Sequence, residues 1–298
     1  MSEFKDVWHR TPDGLQLYAR DYPGPDSSCL PSVLCLHGLS RNSADFAGLA
    51  SVLASDRRVI VPEQRGRGRS DYDSNPANYT PQTYVSDMFG LMDALALDKV
   101  VVIGTSMGGL MAFIMASLQP ERLAALVIND IGPEIDPAGL ARIQRYVGKV
   151  EPARDWDEAV ERVREINGAA FPDYTRQEWL EFARALYVER DGIPVLAYDP
   201  AISKAMAGSS SEATKSDLWP LFSATRHIPT LLIRGELSDI LSADCAARMR
   251  ETHSKLTLVE VPGVGHAPTL VEPAALQAVQ SFLEAAPLGP APTTGDAP

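Results

Sequence analysis

Short runs of consecutive apolar residues alternate along this chain with longer stretches in which apolar positions recur every three or four residues. Ser32–Leu36, Arg58–Val61, Val100–Ile103, Ala124–Ile128, Thr230–Ile233 and Thr257–Glu260 are short, apolar and rich in β-branched residues, as strands buried on both faces should be. Asp6–Thr11 and Leu15–Asp21 flank Pro12-Asp13-Gly14, a turn signal, so an antiparallel pair opens the chain. Helical periodicity falls at about 43–54, 81–97, 107–118, 242–252 and 273–285; in the second of these, Val85, Met88, Phe89, Met92 and Leu95 make one apolar stripe. Eight strands in alternation with amphipathic helices predict an α/β fold: a mostly parallel eight-stranded sheet covered by helices on both faces.

The alternation breaks between Ile128 and Thr230, where helical patterns appear near 138–148, 155–167, 175–188 and 198–207. An inserted helical cap is the simplest account, and it divides the chain into a core of residues 1–132 and 220–286 and a cap of residues 133–219. Nine of the 21 aromatic residues lie in that insertion, among them Trp156, Phe171, Tyr174, Trp179, Phe182 and Tyr187. They are expected to form the cap's own core, with the roof of an apolar substrate pocket as the alternative. Residues 287–298 are too poor in bulky apolar groups to fold alone and read as a disordered tail.

A net charge of -12 argues against nucleic acid and anionic membrane as partners, since both require a positive surface. Arg65-Gly66-Arg67-Gly68-Arg69 resembles an RNA-binding tract but is one short copy in an acidic chain. Cys29, Cys35 and Cys245 have no metal-ligand spacing, so neither a zinc site nor a disulfide framework is expected, and reduced buried thiols are the default. The first residues contain no apolar leader segment, and no run of 18 apolar residues occurs. The expectation is a soluble, cytoplasmic protein that acts on a small molecule without metal or cofactor.

Gly104-Thr105-Ser106-Met107-Gly108-Gly109 joins the strand at Val100–Ile103 to the helix that follows. The G-x-S-x-G spacing, placed between strand and helix, is a nucleophile elbow: the tight turn lifts the serine hydroxyl above the sheet beside a helix N-terminus. A serine needs a base, and the base needs an orienting acid. Of the five histidines, His266 sits in the Gly-rich loop between the last strand and last helix and can reach the elbow's rim. For the acid the assignment is Asp239, on the loop after the strand Thr230–Ile233; Asp130, after the strand ending at Ile128, is its rival, and Glu236 a third candidate. The backbone N–H groups of Met107, after the nucleophile, and Leu39, in His37-Gly38-Leu39-Ser40, are the expected oxyanion donors.

The order Ser106, Asp239, His266 and the elbow context resemble the α/β-hydrolase superfamily, and the resemblance spans roughly residues 4–285. His37-Gly38 and Gly265-His266 match further, and Glu63-Gln64-Arg65-Gly66-Arg67-Gly68-Arg69-Ser70 is similar to the family's D-x-R-G-x-G-x-S segment with Glu63 for Asp. Serine rather than aspartate at the elbow points away from dehalogenases and epoxide hydrolases. The chain looks most like capped serine esterases and the 3-oxoadipate enol-lactonase group, which implies hydrolysis of a small-to-medium ester or lactone through an acyl-enzyme. Meta-cleavage C–C hydrolases and cofactor-free haloperoxidases or perhydrolases use the same three residues, and Ala267 after the histidine is unlike the aromatic residue common in the former. A non-catalytic ligand-binding receptor on the same scaffold is the alternative from another class.

Overall fold

The computed structural model describes residues 3–149, 151–204 and 217–286. In chain order the elements are β1 (Lys5–Arg10), β2 (Gln16–Tyr22), β3 (Ser32–Leu36), α1 (Ala47–Leu53), β4 (Val59–Pro62), α2 (Pro81–Ala94), β5 (Val100–Thr105), α3 (Met107–Leu118) and β6 (Leu123–Asn129). There follow α4 (Pro137–Tyr146), α5 (Trp156–Asn167), α6 (Arg176–Leu186), the hairpin β7 (Tyr187–Arg190) and β8 (Ile193–Leu196), and α7 (Trp219–Ser223). The core resumes with β9 (Thr230–Gly235), α8 (Ala243–Thr252), β10 (Leu256–Val261) and α9 (Pro273–Ala285).

Eight strands form one sheet in the order β1-β2-β4-β3-β5-β6-β9-β10, antiparallel at β1, β2 and β4 and parallel from β4 onward. Successive side chains of a strand face opposite sides, and the central strands bury both. Leu34, Leu36, Val100 and Val102 pack with α2 and α3, whereas Val33, Cys35, Val101 and Ile103 pack with α1 and α9. Each of these residues is fully buried, worth roughly 1.5–3 kcal/mol for a large aliphatic side chain. The helix starts are written locally: Thr80 caps α2 with Pro81 in the first turn, Asp155 caps α5, and Thr175 and Glu178 form a reciprocal capping box on α6.

The segment between β6 and β9 differs from expectation in two places. The predicted helix at 175–188 ends at Leu186, and the β-prone residues that follow pair as β7 and β8. Asp191-Gly192 makes the turn with both residues at positive φ (52° and 79°), the conformation a two-residue hairpin loop requires. That dipeptide was the available signal. Of the helix expected at 198–207, Tyr198 instead bridges Arg67 and the chain turns through 201, residues 202–204 are helical, and 205–207 lie outside the described residues, as does the tail expected at 287–298.

Candidate active site

Ser106 stands between β5 and α3 at φ 53°, ψ -115°, a backbone conformation an L-residue holds only when its surroundings fix it, at a cost of about 1–3 kcal/mol. The surroundings are two glycines of the elbow. A Cβ at Gly108 would lie 2.0 Å from the Leu36 carbonyl oxygen, and one at Gly104 would lie 2.3 Å from the Gly108 carbonyl oxygen. Their role is therefore close approach of helix to strand, while the positive φ falls on the serine itself. The Ser106 N–H donates to the Asn129 carbonyl at 2.9 Å, which ties the turn to the end of β6.

His266 Nε2 lies 2.9 Å from Ser106 Oγ, and its Nδ1 lies 2.8 Å from Asp130 Oδ2. A carboxylate only accepts, so Nδ1 carries the proton and the Nε2 lone pair faces the hydroxyl. Asp130, fully buried, is itself fixed by the Gly235 N–H on Oδ1 (2.9 Å) and the Ser238 hydroxyl on Oδ2 (2.7 Å). It sits directly after β6 with φ 57°, in the left-handed region that Asp tolerates better than most residues.

The expectation that Asp239 orients the histidine is corrected by this geometry. Asp239 makes no ion pair with His266; both of its oxygens are held by Arg142 of α4, Nε to Oδ2 at 2.6 Å and Nη2 to Oδ1 at 2.8 Å. The cause lies in the loop after β9. It turns so that Ser238 faces Asp130 while the Asp239 backbone packs on Gly139 of α4, where a Cβ would come within 2.0 Å of its carbonyl oxygen. Burial pushes the Asp239 carboxyl up, but the Arg142 hydrogen bonds and charge outweigh this and hold it below the usual range. Glu236, the third candidate, accepts from the Gly263 N–H at 2.8 Å and does not pair with His266. Asn129 Nδ2 donates to the Pro268 carbonyl (2.7 Å) and to Thr105 Oγ1 (3.0 Å), joining the histidine loop to the strand that carries the serine.

Directly after the serine, Met107 opens α3, where a helix N–H has no intrahelical acceptor. The Leu39 carbonyl accepts from Arg67 Nε at 2.9 Å, and Arg67, fully buried, also donates to the Arg65 carbonyl and to Tyr84 Oη. That network fixes the loop bearing the Leu39 N–H. His37 beneath it is fully buried, and burial pushes its imidazole down to about 3, so it is neutral and shapes the turn. Arg65 binds Asp13, Asp73 and Asp87, and Glu63 accepts from Ser43 and the Arg69 N–H, so the arginine-rich segment is structural.

A cavity of about 400 Å³ opens above Ser106 and His266. Its roof comes from the inserted segment, with Tyr146, Phe171, Tyr174, Phe182, Tyr187 and Tyr198 among its walls. The aromatic residues thus serve both expected roles: Trp179 is buried against Phe171 and Phe182 inside the inserted segment, those six line the pocket, and Trp156 and Trp219 lie away from it with their indole N–H groups on Glu189 and Glu134. Cys35 and Cys245 are buried thiols, whereas Cys29 is exposed, contrary to expectation.

A protein-family model described as the alpha/beta hydrolase fold matches residues 31–273. The chain belongs to the α/β-hydrolase fold family. The hydrolase is 35% identical to a 3-hydroxybutyrate-oligomer hydrolase of Cupriavidus necator over 93% of its own length and 96% of that protein's. It is 27% identical to a 2-(acetamidomethylene)succinate hydrolase of Mesorhizobium japonicum, over 86% of its length and 88% of the relative's. Among solved structures, an alpha/beta hydrolase of Novosphingobium aromaticivorans superposes with a TM-score of 0.90 at 42% identity, covering 95% of this chain and 99% of that one. Among the described residues no helix of the hydrolase is long and apolar enough to cross a membrane.

Proposed function

We propose that the protein hydrolyses small-to-medium carboxylic esters or lactones through an acyl-enzyme, with Ser106 as nucleophile, His266 as base and Asp130 as the orienting acid. The carrying observation is the unbroken chain from Ser106 Oγ through His266 to Asp130 at the floor of an aromatic-walled cavity. The similarity to the 3-hydroxybutyrate-oligomer hydrolase supports short esters of hydroxy acids as the substrate class.

In this reading His266 Nε2 takes the Ser106 proton as Oγ attacks the acyl carbon. The oxyanion accepts from the Leu39 and Met107 N–H groups, positioned before charge develops and therefore costing little reorganisation. Collapse breaks the bond to the alcohol oxygen, which leaves with the proton from His266. Water then gives a proton to His266 and attacks the acyl carbon, and the carboxylic acid departs as Oγ regains its hydrogen. Asp130 stabilises the imidazolium at each proton transfer.

The test is hydrolysis of p-nitrophenyl esters of graded acyl length together with labelling by a fluorophosphonate probe. Ser106→Ala should abolish labelling and lower kcat by about a million-fold. Unchanged ester hydrolysis in that variant refutes the assignment. Tight ligand binding by the wild type with neither labelling nor turnover would favour a receptor.

A further inference from the structure

Arg41 is the one arginine or lysine in the wall of the cavity among the described residues. It stands two residues after Leu39. A Cβ built on Gly38 would lie 3.4 Å from Arg41 Cγ and 3.8 Å from Ser106 Cβ, so the side chain starts beside the nucleophile. Its guanidinium carbon lies over the Phe182 ring, 4.4 Å from the centroid. Asp45 takes one edge of the fork, accepting from Nε at 2.7 Å and from Nη2 at 2.6 Å.

The other edge is open. Nη1 has no hydrogen-bond partner among the described residues, nor is it a buried orphan, and the side chain keeps 19% of its exposure. A guanidinium presents five N–H groups in a rigid fork, so pairing along Nε and Nη2 leaves the Nη1–Nη2 end able to bind a second carboxylate in two-point fashion. This protein does so elsewhere: Arg65 binds Asp13, Asp73 and Asp87 at once. The other charged lining groups are Asp45, already paired, and Glu178 and Glu181, engaged with Thr175 and Gln177 respectively. Three carboxylates against one arginine make the wall net negative, so an anion is favoured only where it seats directly on the fork, and a second negative charge on the same molecule is opposed.

We infer that Arg41 is a specificity residue that anchors a single carboxylate on the substrate, so that the site selects monoanionic esters, such as an oligoester of a hydroxy acid with its free acid end, over their neutral counterparts and over dianions. This rests on the ester-hydrolase reading. The planar fork, held on its other edge by Asp45, makes the anchor directional, which a diffuse positive field would not.

The experiment compares the linear dimer of 3-hydroxybutyrate with its methyl ester, alongside p-nitrophenyl butyrate. Wild type should favour the acid over its methyl ester in kcat/KM. In the double variant Arg41→Gln/Asp45→Asn, which removes both charges and leaves no unpaired Asp45 to repel the substrate, that ratio should fall by about 10- to 100-fold, chiefly through KM. Arg41→Lys, which keeps the charge but loses the fork, should fall between. An unchanged ratio in the double variant, or no preference for the acid in wild type, overturns the inference. Should the variants not fold, wild type alone decides: 3-hydroxybutyrate should inhibit p-nitrophenyl butyrate hydrolysis more strongly than its methyl ester, and equal inhibition overturns the inference. If wild type does not hydrolyse p-nitrophenyl butyrate at all, the ester-hydrolase reading itself has failed.

Discussion

Replacing Asp130 by Asn should lower kcat by about four orders of magnitude, equivalent to about 5.5 kcal/mol of transition-state stabilisation. The size follows from how the carboxylate is held. Oδ1 accepts from the Gly235 N–H, which can only donate, so the oxygen of an introduced carboxamide must take that position. The amide nitrogen is then forced onto the other side, 2.8 Å from where His266 Nδ1 now donates. Facing a donor, Nδ1 gives up its proton and the ring holds it on Nε2, against Ser106, where it can no longer accept the hydroxyl proton. Asp239→Asn removes only the pair with Arg142, whose partners are 21% and 38% exposed, so it should cost about 1 kcal/mol of stability or less and change kcat by under tenfold. Burst and steady-state kinetics on p-nitrophenyl butyrate, with thermal melts of each variant, separate chemistry from folding. A loss of three decades or more in Asp239→Asn, with Asp130→Asn within tenfold of wild type, would refute the role given to Asp130.

Gly108→Ala should destabilise the fold by several kcal/mol and lower its melting temperature, because the new methyl would meet the Leu36 carbonyl at 2.0 Å with both backbones fixed by the sheet and α3; a melt within a degree or two of wild type would contradict the close-approach argument. His37 gives a pH signature. Its folded-state pKa is pushed by burial from 6.5 to about 3, so between those values the unfolded chain binds a proton that the native one does not, and stability falls as pH falls through that window. From about pH 7 to about pH 5 the loss is on the order of 2 kcal/mol, whereas the lowered Asp239 contributes only near and below its ordinary 3.8. Urea midpoints against pH should therefore be flatter in His37→Asn than in wild type, and parallel curves would exclude His37 as the source.

The sheet and the elbow were legible because each is written in a few neighbouring residues. Val100–Ile103 is a buried strand by composition, and Gly104 and Gly108 flank Ser106 because any Cβ there would strike backbone. The identity of the proposed orienting acid is written differently. Asp130 and Asp239 both leave the sheet's carboxyl edge, and the chain order suits either. What separates them is the path of one loop, and that path is decided by partners more than 90 residues away: Ser238 and Gly235 turned toward Asp130, and Arg142 of the inserted segment turned toward Asp239. Local pattern carries no record of such choices except for Asp130's place immediately after Asn129 at the strand end, where an acid that tolerates positive φ can turn back under the histidine. The same holds for the cavity. That the insertion would be aromatic was plain, but which rings face the pocket and which face each other depends on how α5, α6 and the hairpin meet over β5. Arg41 was invisible for the same reason, since its meaning lies in the unused edge of its fork and not in its place in the sequence.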